Sequence, residues 1–263
     1  MEELAVQRHA DTTEASGYPG FAALLVRLCE HRGLDTAALS RTAEVPEAHL
    51  QSTLDTGAPD PSLLRRLAPA LALHTADLFL IAGLQVPADL APVDARAGRL
   101  VASLVRDVGS LPPQQRTALR DHIRSLPPDD GHEPPATQTA PHENPWTNYG
   151  ALIVSMFHTR NLNLLGTAKA LAAMTDLWLS ASTIGMVGAG RRELSPDLLA
   201  RFAIVLGIEA ADLAALTGLP LPDPLPPRHP AAADMAGLIW ELRRLTADQV
   251  QQVQRRVTSL LQA

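Results

Sequence analysis

The sequence predicts an all-α protein built from two repeats. Apolar residues recur at helical spacing in many short segments, and Pro and Gly residues lie between the segments. The chain holds 22 Pro residues and only 3% aromatic residues, a composition that favours short helices with proline-marked ends over β-sheets. The same order of helical segments occurs in both halves of the chain, which indicates an internal duplication.

Aligning the two halves defines the register of this duplication. Leu24-Leu25-Val26 match Leu152-Ile153-Val154, Arg32 matches Arg160, Leu50 matches Ile184, Pro61 matches Pro196, and Asp77-Leu78 match Asp212-Leu213. The offset between the copies grows from 128 residues at Arg160 to 134 at Ile184, so the second copy holds about six additional residues near Met174–Leu179. That segment includes Trp178, and the sequence leaves open whether its ring packs against the following helix.

Each repeat is predicted to contain a unit of short helices followed by a helical hairpin. An acidic, Pro-rich segment without apolar periodicity separates the repeats and predicts a semi-extended linker. The predicted boundaries are 1–19 for a flexible acidic arm, 20–92 for the first unit, 93–126 for the first hairpin, 127–147 for the linker, 148–219 for the second unit, and 220–263 for a Pro-rich connection with the C-terminal hairpin.

The segment Leu164–Leu199 predicts two short helices, a basic turn and the start of a third helix. Ser180 is a suitable N-cap residue, and Ile184 and Val187 stand one turn apart, which predicts a short amphipathic helix. Its opposite face holds Ala181, Ser182, Gly185 and Met186. After it come a glycine-rich stop at Gly188-Ala189-Gly190, the pair Arg191-Arg192, and a cap with an N1 proline at Ser195-Pro196.

The pattern S-x-S-T-I-x-x-V-x-x-G-R-R-x-x-S-P-x-L-L in this segment is similar to the Xre family of helix-turn-helix domains. The resemblance covers Gly150–Leu219. It implies a unit of five short helices, the third of which enters the major groove of DNA. Each repeat is then a five-helix Xre-like unit with a two-helix extension. Heavy use of Ala, Leu, Arg and Pro resembles that of actinobacterial proteins.

The resemblance implies a set of DNA-binding residues in the second unit. They are Ser182, Thr183 and Met186 at the groove, Lys169, Arg191 and Arg192 at the phosphates, and the cap residue Ser180. Hydroxyl groups can bond base edges or phosphates, and a methionine can contact a thymine methyl group. The alternative is that these small polar residues only cap and solvate a short helix.

The first unit departs from this pattern because its corresponding helix is acidic. Counted over 20–83, Arg and Lys number 5 against 7 Asp and Glu, whereas 148–218 holds 5 of each. The candidate DNA contacts in the first unit are His49, Gln51 and Ser52. An acidic surface facing phosphates is repulsive, so this unit is either a second reader of DNA or a structural, dimerising unit.

The sequence favours a binding protein over an enzyme. Its single cysteine, Cys29, lies in an apolar helical segment, and its nine histidines lack metal-ligand spacing. No glycine-rich loop follows a predicted strand, so we expect no cofactor and no metal. The acidic start Met1-Glu2-Glu3 does not resemble a signal peptide, and the apolar run Leu78–Leu84 is too short to span a bilayer, so a cytoplasmic protein is expected.

These observations predict a transcriptional regulator that binds double-stranded DNA through two helix-turn-helix units in one chain. Two recognition helices would lie roughly 34 Å apart, on successive major-groove faces. A homodimer is expected through the helical extensions, because a two-helix hairpin does not bury its apolar face alone. The alternatives are a scaffold that uses the same fold for protein contacts, and an antitoxin-like protein with a protein partner.

Overall fold

A computed structural model describes residues 19–127 and 148–262. Within these ranges the chain forms 14 α-helices and no β-strand, which confirms the predicted all-α class. The predicted acidic arm (1–19) and linker (127–147) fall almost entirely outside the described residues. The helices are α1 (Phe21–Arg32), α2 (Thr36–Ala43), α3 (Glu47–Thr56), α4 (Pro61–Ala70), α5 (Thr75–Ile81), α6 (Gly98–Gly109), α7 (Pro113–Ser125), α8 (Tyr149–Thr159), α9 (Leu164–Thr175), α10 (Ala181–Gly188), α11 (Pro196–Leu206), α12 (Ala210–Thr217), α13 (Ala232–Leu242) and α14 (Ala247–Gln262).

The helix ends follow the signals in the sequence. Ser195 caps α11, where its Oγ accepts a hydrogen bond from Leu198 N–H at 3.3 Å. Asp60 caps α4 in the same way, and its Oδ1 accepts from Leu63 N–H at 3.0 Å. A proline occupies the first turn of both helices, and Gly207 ends α11 in the left-handed region at φ +68°. The predicted helix start at residues 195–196 is therefore confirmed.

The first unit (α1–α5) and the second unit (α8–α12) contact each other through their first and fifth helices. α1 packs against α12, and α5 packs against α8. Arg32 at the end of α1 binds Asp212 in α12, and Arg160, next to the end of α8, binds Asp77 in α5. The main contacts of α3 and α10 are made within their own units, so both helices lie outside this interface.

The two helical hairpins, α6–α7 and α13–α14, pack against each other. α6 contacts both α13 and α14, while α7 contacts α13. Leu104 and Val105 of α6 and Leu238 and Ile239 of α13 are fully buried. These apolar faces were the reason to expect a homodimer, and here they are covered within one chain.

Both hairpins lie mainly against the second unit. α6 packs along α9, and α13 packs against α11. At the start of α6, a Cβ atom on Gly98 would overlap the carbonyl oxygen of Asn161, so only glycine permits this approach. The second unit is therefore enclosed on more sides than the first, and this difference distinguishes the two halves of the molecule.

Candidate DNA-binding surface

Three hydroxyl groups cluster at the N-terminus of α10. Ser180 Oγ accepts a hydrogen bond from the backbone N–H of Thr183 at 3.1 Å and so caps the helix, as the sequence predicted. The same Oγ lies 2.8 Å from Ser182 Oγ and 2.9 Å from Thr183 Oγ1. Ser180 and Ser182 are exposed, so the cluster offers donors and acceptors to solvent.

The short helix α10 has one buried and one open face. Ile184 and Val187 are no more than 1% exposed and belong to the core. Ser182 and Met186 stand one turn apart on the other side, and both are exposed. The predicted amphipathic pattern is confirmed, and the open face is small and mostly uncharged.

A tight turn after α10 presents two arginines. Gly190 adopts φ +66°, and the backbone N–H groups of Arg191 and Arg192 both donate to the carbonyl oxygen of Met186, at 2.8 and 3.1 Å. Both arginines are exposed, and so is Lys169 on α9. None of these three cations forms an ion pair with any residue in the described ranges, so their charges are available to an external anion.

Two glycines fix the position of α10 among its neighbours. A Cβ on Gly150 would overlap the carbonyl oxygen of Val187, so α8 approaches the end of α10 more closely than any other residue would allow. A Cβ on Gly185 would lie 3.1 Å from Leu164 Cδ1 of α9. The sequence placed Gly185 on the open face, but it lies against α9 instead. A glycine at a helix–helix crossing gives no local signal, which is why both contacts were missed.

In the first unit, the candidate residues of α3 are exposed but engaged with nearby acids. His49 Nε2 lies 2.9 Å from Asp60 Oδ2, and Gln51 Nε2 donates to Asp55 Oδ1 at 3.0 Å. Ser52 is exposed. The polar groups best suited to read bases on α3 are therefore held by carboxylates of the same unit.

The chain segment around α3 is acidic. Residues 42–64 contain four Asp and Glu residues and no Arg or Lys. The Ser62 hydroxyl and the Leu63 N–H donate to Asp60 and lower the pKa of its carboxyl group to about 2. This carboxylate is charged at neutral pH and keeps His49 beside it. The segments around the two candidate helices thus differ in charge, since 164–195 holds three Arg and Lys residues against two acids.

Trp178 lies in the connection between α9 and α10. Its side chain is 83% exposed, so it does not pack against α10. Leu177 and Leu179 on either side of it are partly buried and pack against the core. The segment is therefore anchored at two points and directs the indole ring outwards.

The described part of the chain holds no group of three or more His, Cys, Asp or Glu side chains placed to bind a metal ion. Its cysteine, Cys29, is half-buried, and this burial raises the pKa of the thiol. No helix within those ranges is long and apolar enough to cross a bilayer.

The chain matches no family model, no curated protein and no solved structure. The most distinctive part of the described surface is the capped amphipathic helix α10, which is followed in the chain by exposed Arg191 and Arg192 and preceded by α9 with exposed Lys169.

Proposed function

We propose that this protein is a sequence-specific DNA-binding transcriptional regulator, and that α10 of the second unit enters the major groove. The observation that supports the proposal best is the contrast between the two faces of α10. The apolar face is buried, while the open face carries Ser182 and Met186 next to exposed arginines. An α-helix of this kind fits the major groove, where hydroxyl and apolar side chains read base edges.

The cations on either side of α10 supply the electrostatic part of the proposal. Lys169 comes from α9, and Arg191 and Arg192 come from the turn after α10. The chain carries a net charge of −6, so non-specific attraction to DNA is weak over most of its surface. Phosphate contacts must then come from local cations, and Lys169, Arg191 and Arg192 are exposed on the helix before α10 and on the turn after it.

We further infer that the two units are repeats whose contact takes the place of a dimer interface. Each of the two arginines that bind across the interface also binds a carbonyl oxygen at the end of the fourth helix of its own unit. Arg32 Nη1 donates to Leu71 O at 2.6 Å, and Arg160 Nη2 donates to Leu206 O at 2.8 Å. Leu71 and Leu206 correspond in the register that also aligns the two acidic partners. A reciprocal contact of this kind is what a two-fold interface produces.

A single chain then supplies two helix-turn-helix units, and we propose that it binds its site as a monomer. A homodimer through the hairpins is the alternative. Size-exclusion chromatography with light scattering distinguishes the two. A mass of one chain for the free protein, and of one chain per duplex for the complex, supports the monomer. A mass of two chains supports the dimer.

The proposed function is tested by selecting genomic DNA fragments on the immobilised protein and measuring fluorescence anisotropy of the selected duplex. The double variant Arg191→Glu, Arg192→Glu is expected to lose specific binding, because it reverses two phosphate contacts. Arg255→Glu, Arg256→Glu is the matched control: this pair is also exposed, lies on α14 and has no ion-pair partner in the described ranges. It changes the net charge equally and should leave specific binding almost intact.

Salt dependence gives the same experiment a second readout. The logarithm of the affinity of the wild-type protein should fall linearly with the logarithm of the salt concentration, with a slope of roughly −0.9 per neutralised phosphate. Arg191→Ala, Arg192→Ala should reduce the magnitude of that slope by about two. If the wild-type protein selects no fragment over random DNA even at low salt, the proposal is wrong.

A second candidate function is a scaffold that binds a protein through the first unit. The acidic surroundings of α3, in which His49 and Gln51 are already held by Asp60 and Asp55, favour it over DNA binding for that unit. The candidates are separated by the Arg191→Glu, Arg192→Glu variant, which should abolish DNA binding but leave any protein complex made through α3 intact.

A further inference from the structure

Trp178 is the most exposed large apolar side chain of the described residues. It is 83% exposed, whereas the other tryptophan in these ranges, Trp240, is stacked on His74 with 3.6 Å between ring centroids. A tryptophan that contacts little of its own protein leaves a large apolar area in water, and such residues are typical of binding surfaces.

The backbone holds Trp178 in a defined place next to α10. Asp176 ends α9 in the left-handed region at φ +55°, and Ser180 caps α10. Between these two fixed points, Leu177 and Leu179 pack against the core. Only three residues lie between the cap positions, so the indole is carried by a short anchored segment directly before the N-terminus of α10.

The chemistry around this indole indicates which partner it contacts. The hydroxyl cluster of Ser180, Ser182 and Thr183 follows it immediately in the chain. Over residues 164–195, three cations stand against two acids, although the chain as a whole carries a net charge of −6. A surface with hydroxyl groups, excess positive charge and one aromatic ring is complementary to DNA, which combines phosphates, polar base edges and apolar thymine methyl groups.

We propose that Trp178 contacts the C5-methyl group of a thymine in the major groove and so determines sequence preference at one position of the binding site. This inference rests on the proposed function, because it assigns the indole to the same DNA surface as α10. The methyl group is the apolar feature of the major-groove edge, and it distinguishes A·T from the other base pairs there. The serine and threonine hydroxyls next to Trp178 bind either kind of base and do not provide this distinction.

The experiment removes one methyl group at a time from the DNA. In the duplex selected by the wild-type protein, each thymine is replaced in turn by deoxyuridine, which lacks the C5-methyl group and is otherwise the same base. The affinity of the wild-type protein should fall by about fourfold at one or two thymines, the factor that corresponds to one buried methyl group. The Trp178→Ala variant should bind the thymine duplex more weakly and show no further loss with deoxyuridine at those positions.

Two controls separate this contact from other effects. Circular dichroism and the melting temperature of Trp178→Ala should match those of the wild-type protein, because the side chain is mostly in water. Met186→Ala removes the exposed apolar side chain on the open face of α10, and it should retain the sensitivity to deoxyuridine at the positions assigned to Trp178.

The outcomes distinguish this inference from the proposed function. If the wild-type protein binds its duplex and Trp178→Ala shows the same sensitivity to deoxyuridine, the thymine contact is wrong while DNA binding stands. The same holds if the sensitivity is lost in Met186→Ala alone. If the wild-type protein binds no DNA specifically, the proposed function and this inference both fail, and the indole then belongs to a protein-binding surface.

Discussion

Arg32 and Arg160 make the same connection between the two units, but at different depths. Arg160 and Asp77 have fully buried side chains, and both distances in their bidentate pair are 2.7 Å. In the other pair, the side chain of Arg32 is 19% exposed and that of Asp212 is 7% exposed. Both ion pairs are bidentate, but Arg32 binds through Nε and Nη2 whereas Arg160 binds through Nη1 and Nη2, so the two pairs differ in geometry as well as in burial.

The more deeply buried pair, Arg160–Asp77 (the deep pair), is held by a complete set of hydrogen bonds. Arg160 has five N–H donors, and all five are used: two on Asp77, two on Leu206 O and one on Met156 O, at 2.7 to 3.2 Å. The ring of Trp240 covers it, with 5.4 Å from the guanidinium carbon to the ring centroid. Trp240 belongs to α13, so the second hairpin contributes to the burial of this pair.

The largest predicted effect follows from breaking the deep pair. Asp77→Ala leaves the Arg160 guanidinium buried with no carboxylate, and we expect a loss of about 3–5 kcal/mol in the free energy of unfolding. Urea denaturation followed by circular dichroism measures it. A loss below about 1 kcal/mol would show that water reaches Arg160 in solution and that the contrast between the two pairs is not real.

The second prediction concerns pH and the ring of His74, which lies on Trp240. Burial in the first place, and then the charge of Arg160, lowers the pKa of His74 to about 4 from its ordinary 6.5. Arg243 adds to this effect, and Asp77 opposes it. As the pH falls below 6.5, the unfolded chain takes up the proton first, so the stability of the protein should fall between pH 6.5 and pH 4 and change no further through this group below that.

The His74→Phe variant isolates this contribution, because phenylalanine keeps a ring on Trp240 but does not titrate. Between pH 6.5 and about pH 4.5, the wild-type protein should lose about 2 kcal/mol more stability than the variant. One titrating group changes the free energy of unfolding by at most about 1.4 kcal/mol per pH unit, and His74 approaches this limit only over part of the range. Equal slopes for the two proteins would mean that His74 titrates normally in the folded state.

The sequence predicted the helices well because their signals are local. Ser180, Ser195 and Asp60 cap helices through hydrogen bonds to residues within one turn, and the apolar spacing of Ile184 and Val187 follows from the helical repeat. The helical class and the buried face of α10 were therefore predictable.

The remaining features depend on contacts between distant segments. The register matched Arg32 with Arg160, but gave no indication that each binds the acid of the other unit. The close approach of Gly98 to Asn161 depends on how α6 crosses the second unit. The exposure of Trp178 depends on which residues beside it pack on the core. Such features arise from packing, and one sequence does not specify packing by local pattern.

The third prediction breaks the shallow pair and serves as the matched control for the deep one. Asp212→Ala removes the corresponding carboxylate, but Arg32 keeps its bond to Leu71 O and reaches solvent. We expect a loss of about 1 kcal/mol in the free energy of unfolding, because a partly solvated ion pair contributes little. The same urea titration measures it. A loss equal to that of Asp77→Ala would show that the difference in burial between the two ion pairs does not change their contribution to stability.

The smallest predicted effect extends the comparison to the two candidate recognition helices. Gln51→Ala with Ser52→Ala removes exposed polar groups of α3, and we expect the affinity for the selected duplex to change by less than about twofold. The physical reason is that Gln51 is already held by Asp55, in a region of four acids and no cation. Ser182→Ala with Met186→Ala is the corresponding change on α10 and should weaken binding by tenfold or more, since one base contact corresponds to about 1–3 kcal/mol.

If both double variants weaken binding equally, the first unit also reads DNA, and its acids must lie away from the phosphates in the complex. If only the α10 variant does so, the two units have separate tasks: one binds DNA, and the other supports it through the reciprocal interface.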